Sequence, residues 1–155
     1  RPAPAPPLAL APRGAARPAP APPPPPPAVL AAALGAVAPP PRALAPGLEA
    51  LRRGDLEDAV ALLAGRGEGL TPAGDDVLAG YAARCRVRLS RLAAGRASPL
   101  GLAYLRCAER GELPDVVARV LGARDPDTAR RRARALSRWG SSSGAAMLWG
   151  IASAT

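Results

Sequence analysis

Two glycine-rich loops carry the residues of this chain that could do chemistry. The first, GRGEGLTPAGDD at residues 65–76, sets glycines at every second position, then a threonine, a proline and two adjacent aspartates. The second is GSSSG at 140–144, running into AAMLWGIAS. Each loop opens a helix-like run, and a helix start offers free N–H groups and the positive end of the dipole. Such a start suits an anion. The candidate ligand-binding residues are therefore Gly67, Gly69, Thr71 and Gly74 from the first loop, with Ser142, Ser143 and Gly144 from the second. The same residues also fit a plainer role, with Thr71 and Ser143 as helix caps and the glycines as turns.

The aspartates Asp75 and Asp76 sharpen the question. Neighbouring helix positions point about 100° apart, so one carboxylate can face the loop while the other braces its backbone or a neighbouring helix. Two carboxylates beside an anion cradle repel the anion unless something intervenes: an Mg²⁺ ion held by Asp75 and Asp76, an arginine, or an amide N–H₂ group on the ligand. Familiar phosphate loops do not fit. A Walker loop needs a lysine and the chain has none, while a dinucleotide fingerprint needs a preceding strand.

The elements that must position these residues read as helices. Beyond residue 47, Pro72, Pro99, Pro114 and Pro126 each precede a helix-like run, and Thr71, Ser98 and Asp125 stand just before three of them. A cap followed by proline is a helix start signal. Gly65, Gly95, Gly111, Gly122 and Gly140 close runs where left-handed turns are expected. The expectation is an all-α fold, a compact domain of about six helices at 56–64, 72–94, 99–110, 114–121, 126–139 and 144–153. In the longest, Leu78, Tyr81, Cys85, Leu89 and Leu92 form an apolar stripe, and Arg84, Arg88 and Arg91 form another face.

Residues 1–46 read differently. They hold 17 of the 21 prolines and no acid, so they are expected to be a disordered, extended Pro/Ala-rich tail, preceding a helical domain over 47–155. The apolar run AVLAAALGAVA at 28–38 is too short for a membrane span and is followed by Pro39, so it is not read as a secretion signal. Cys85 and Cys107 fall on helical runs without motif spacing and are expected to be buried reduced thiols. The compartment is read as cytoplasmic, with no membrane partner.

GEGLTPAGDDVLAG, followed about sixty residues later by GSSSGAAMLWG, resembles the AllH-type family of oxamate carbamoyltransferase subunits. Its members carry a G-L-T-P-S-G-D-D loop and a later G-H-S/T-S-G loop, and the helical pattern of SPLGLAYLRCAERGELPDVVARVLG is also similar. The resemblance spans about Leu51 to Ser153. It implies one subunit of a multi-protein system interconverting oxalurate and phosphate with oxamate and carbamoyl phosphate in purine (allantoin) breakdown. The implied partners are companion subunits and a small anionic metabolite such as carbamoyl phosphate or oxamate.

Gly69, Leu70, Thr71, Pro72, Gly74, Asp75 and Asp76 retain the first motif, and Ser142, Ser143 and Gly144 part of the second. Ser141 stands where the family has His, Ala146 where it has Asp, Glu68 where it has Pro and Ala73 where it has Ser. Without any histidine the chain lacks the side chain best suited to proton transfer near neutrality. Catalysis by this chain alone is not expected, and no catalytic residue is assigned. The domain is also expected to be incomplete relative to the family, whose amino-terminal portion is replaced here by the Pro-rich segment.

Two other readings stay open. Arg130, Arg134 and Arg138, with Arg131 and Arg132 beside them, could track nucleic-acid phosphates, although no aromatic residues are interleaved for base stacking and a solvated arginine face explains them as well. Alternatively the Pro-rich segment could recruit a partner to a non-catalytic interaction module.

Overall fold

The computed structural model describes residues 23–154, and every regular element among them is helical. In chain order these are α1 (Pro27–Leu34), a 3-10 turn (Arg42–Leu44), α2 (Ala45–Arg53), α3 (Leu56–Leu63), α4 (Ala73–Cys85), α5 (Ser90–Ala93), α6 (Pro99–Arg110), α7 (Asp115–Leu121), α8 (Pro126–Ser137) and α9 (Ser143–Ala152). The all-α expectation holds, but about six helices was too few.

The punctuation of the sequence acts locally as its chemistry requires. Ser98 caps α6 by accepting from the Gly101 N–H at 3.0 Å, and Asp125 caps α8 by accepting from the Thr128 N–H at 2.8 Å. Each is followed by proline at the first helical position, where a missing N–H costs nothing. Gly111 ends α6 in the left-handed conformation at φ 76°, whereas Gly122 closes α7 at φ −84° and needs no glycine geometry.

Helix α4 is the centre of the molecule. Ten consecutive residues, Gly74 to Ala83, are buried. It crosses α9 closely enough that a β-carbon on Gly80 would collide with the Met147 carbonyl, and one on Gly150 with the Val77 carbonyl. Glycine on both helices brings the backbones together, and Val77, Leu78, Leu148 and Ile151 close the core around the crossing. Helix α6 packs on another side of α4, while α1 lies against α8.

Three expectations meet a different arrangement. Ordered packing begins well before residue 47: Val29, Leu30 and Ala33 of α1 are buried in the core, the Trp149 Nε1–H donates to the Ala38 carbonyl at 3.1 Å, and Arg124 Nη2 donates to the Pro23 carbonyl at 3.0 Å. Proline supplies the reason, since Pro27 sits at the start of α1, where its fixed φ favours the helix. The expected disorder of residues 1–22 lies outside the described residues. The single helix expected over 72–94 is broken after Cys85. Arg86 adopts φ 57°, its N–H bonds to the Ala82 carbonyl, and the chain restarts as α5. The Arg86 guanidinium packs onto Gly111 in the space a β-carbon there would need. The Ser90 N–H and hydroxyl, at 2.6 and 2.8 Å from the Glu109 carboxylate, secure the restart. The apolar stripe accordingly fails at its end, with Leu89 buried but Leu92 exposed. Cys85 is exposed and Cys107 half-buried, not the buried thiols expected.

Candidate functional site

The first loop is a scaffold built on Asp75. This side chain is buried; its Oδ1 accepts from the Gly65 N–H at 2.7 Å and its Oδ2 from the Ser98 N–H at 2.8 Å. One carboxylate thus ties the entry of the loop to the start of α6. Gly101 makes room for it, because a β-carbon there would strike the Asp75 carboxylate. The loop between Gly65 and Pro72 is exposed at Gly67, Gly69 and Leu70. Gly67 and Gly69 hold φ 118° and 91°, values that suit glycine alone. The Leu70 carbonyl accepts from the Ser98 hydroxyl at 3.0 Å.

Asp76 has a different environment. It is 1% exposed, and among the described residues neither carboxylate oxygen accepts a hydrogen bond of good geometry. Burial pushes its pKa from 3.8 up to about 6; the nearby Ser143 and Thr71 hydroxyls restrain that rise, and the Asp75 charge adds to it. Those hydroxyls come from the two loops. Thr71 Oγ1 and Ser143 Oγ are 3.2 Å apart, so the start of α4 and the start of α9 meet over Asp76.

The predicted residues therefore separate. Thr71, Asp76 and Ser143 form one cluster. Asp75 is committed to backbone N–H groups, so it is not placed with Asp76 as a joint metal-binding pair. Gly74 and Gly144 sit where helices touch: a β-carbon on Gly74 would collide with the Leu63 carbonyl and one on Gly144 with the Leu136 carbonyl. Their N–H groups are already donated, to the Arg66 carbonyl at 2.8 Å and the Trp139 carbonyl at 3.0 Å. Ser141 and Ser142 are exposed, and Ser142 makes no side-chain cap. Sequence reasoning missed Gly101 and the Ser98 N–H as parts of the Asp75 brace. A glycine one turn inside α6, in SPLGL, is the signal that could have pointed to them.

The arginines of α8 are largely engaged within the fold or at its surface. Arg130 pairs with Asp127 at 2.7 Å, Arg131 Nη2 donates to the Thr128 hydroxyl at 2.9 Å, and Arg132 Nη1 donates to the Arg119 carbonyl at 2.6 Å. Ala129, Ala133 and Leu136 form the buried face of this helix. Among the described residues no helix is long and apolar enough to cross a membrane.

Comparison with known families matches residues 63–155 to the model of the oxamate carbamoyltransferase subunit AllH. The chain belongs to the AllH family. The match starts at Leu63, later than the resemblance at Leu51, and takes in both loops and all of α4 to α9, while α1 and α2 lie outside it. The Asp75 brace and the Thr71–Asp76–Ser143 cluster thus fall wholly inside the AllH span. No curated protein and no solved structure matches the chain.

Proposed function

We infer that this AllH protein is a subunit, or a degenerate relative of one, in an oxamate carbamoyltransferase-type system of purine breakdown. It binds a small anionic metabolite of the carbamoyl phosphate or oxamate kind between the starts of α4 and α9. The supporting observation is the meeting of Thr71 and Ser143 over an unpartnered buried carboxylate. The two hydroxyls and the positive ends of two helices favour an anion. With no histidine in the chain, proton transfer falls to companion subunits, and this chain binds and orients.

Calorimetric titration of the full chain with carbamoyl phosphate, oxamate and inorganic phosphate tests this reading. Saturable binding that is weakened in Thr71→Val and Ser143→Ala is expected. If none of the three binds, even with companion subunits supplied, the cluster is structural only. Tight, steeply salt-dependent DNA binding without any response to carbamoyl phosphate would replace the reading with a nucleic-acid one.

A further inference from the structure

We propose, resting on the binding reading above, that Asp76 is the specificity-determining residue of the site: its carboxylate accepts an N–H from a primary amide or carbamoyl nitrogen, so the site takes an anion bearing that group and rejects the isosteric dicarboxylate.

The argument starts from what Asp76 lacks. A buried carboxylate is normally paired or saturated with donors, because each unmade bond costs the desolvation of that oxygen. Asp75, one residue earlier, shows the usual solution with two backbone N–H donors. Among the described residues no backbone N–H and no cation reaches Asp76: the groups acting on it are the Ser143 and Thr71 hydroxyls, neither of which makes a well-formed hydrogen bond to it, and the Asp75 charge, which is repulsive. An orphaned acceptor of this kind destabilises the fold, and such costs persist where a ligand uses the group.

The ligand must then satisfy two opposed demands. The starts of α4 and α9 attract negative charge, while Asp76 repels it and calls for a donor. A molecule with an anionic end and a neutral N–H₂ end meets both, and a molecule with a second carboxylate in place of the N–H₂ meets only the first.

Access is built into the first loop. Thr71 and Ser143 close over Asp76, so a ligand reaches it when Thr71 withdraws. Thr71 follows Gly67, Gly69 and an 82% exposed Leu70. The side-chain bonds that hold this stretch are those of Thr71 to Ser143 and of the Leu70 carbonyl to Ser98.

Oxamate and oxalate are the probes, differing by N–H₂ against O⁻. Calorimetry on the full chain, well above the Asp76 pKa, is expected to show oxamate binding roughly tenfold or more tighter than oxalate, the scale of one charge-assisted hydrogen bond. In Asp76→Asn the preference should vanish or invert, with circular dichroism and thermal melting confirming that the variant is folded. The wild-type ratio is informative by itself if the variant does not fold. Equal wild-type affinities, or a preference unchanged in Asp76→Asn, overturn the proposal while leaving the anion site standing. Oxalate overtaking oxamate on addition of Mg²⁺ overturns it too, since the carboxylate would then hold a cation. Failure of carbamoyl phosphate, phosphate and both probes to bind removes the site reading and this inference together.

Discussion

Thr71 Oγ1 and Ser143 Oγ lie 3.2 Å apart although 72 positions separate them in the chain. One comes from the loop before α4, the other from the first residue of α9. Their contact joins the starts of two buried, closely crossed helices, and Asp76 lies beneath it.

The first prediction follows from that contact. Ser143→Ala removes one hydroxyl of the pair and the largest influence holding the Asp76 pKa down. The Asp76 pKa should rise above its value of about 6, as read by carbon NMR titration of the side-chain carboxyl. The fold should lose about 0.5–1.5 kcal/mol for the missing hydrogen bond. An unchanged pKa would show that the hydroxyl does not act on the carboxylate.

The second prediction concerns pH. The Asp76 pKa is raised on folding, from 3.8 to about 6, so the folded state binds more protons than the unfolded chain between those values. Its contribution is fully present below about pH 4 and is lost as pH rises through about 6. The loss is on the order of 3 kcal/mol at most. Asp125 and Glu112, whose pKa values are lowered by the Thr128 N–H and by Arg110 respectively, act in the opposite sense at more acidic pH. Urea unfolding of wild type against Asp76→Asn cancels their effect. The variant should gain on wild type steadily between pH 4 and 7.

The third prediction tests the crossing that holds both loops in place. Gly80→Ala and Gly150→Ala each insert a β-carbon against a backbone carbonyl of the facing helix. Neither carbonyl can rotate away without disturbing its own helix. Each change should cost about 1–3 kcal/mol through overpacking, measured by thermal unfolding, and the Gly54→Ala control meets no neighbour within 4 Å. That control pays only for its left-handed φ of 76°.

Much of this architecture is written locally and so is legible in the sequence. Ser98-Pro99 and Asp125-Pro126 announce α6 and α8 because cap and proline act within a few residues. Thr71-Pro72 looks the same, yet α4 starts at Ala73 without a side-chain cap, since the Thr71 hydroxyl is drawn to Ser143 across the molecule. The break at Arg86 carries no glycine or proline to mark it; its left-handed turn is accommodated by tertiary packing on Gly111. Helix α1 was hidden by its surroundings, because a proline-rich composition masks three apolar residues that find a partner in α8. At the site, the aspartate pair pointed to divided roles, but which aspartate would brace and which would stay bare depended on Gly65, Ser98 and Gly101 converging from separate elements.

That division yields the fourth prediction, a pair of neighbouring, isosteric substitutions with opposite effects. In Asp75→Asn the side chain can keep one acceptor oxygen, but its N–H₂ must face either the Gly65 or the Ser98 N–H, both of which donate to Asp75 now. A donor against a donor leaves a part-buried N–H unsatisfied, and the fold should lose about 1–3 kcal/mol. Protection of the Gly65 and Ser98 amides from hydrogen exchange should fall with it. In Asp76→Asn no backbone donor is displaced, because neither oxygen accepts a well-formed hydrogen bond; the hydroxyls of Thr71 and Ser143 can turn to accept from the new N–H₂, and the cost of burying a charge disappears. The second variant should therefore be more stable than wild type at neutral pH, and the first less stable. Chemical denaturation of both at pH 7 decides it. Destabilisation of similar size in both would mean that the two aspartates share one structural role, and Asp76 would then lose its claim to a ligand.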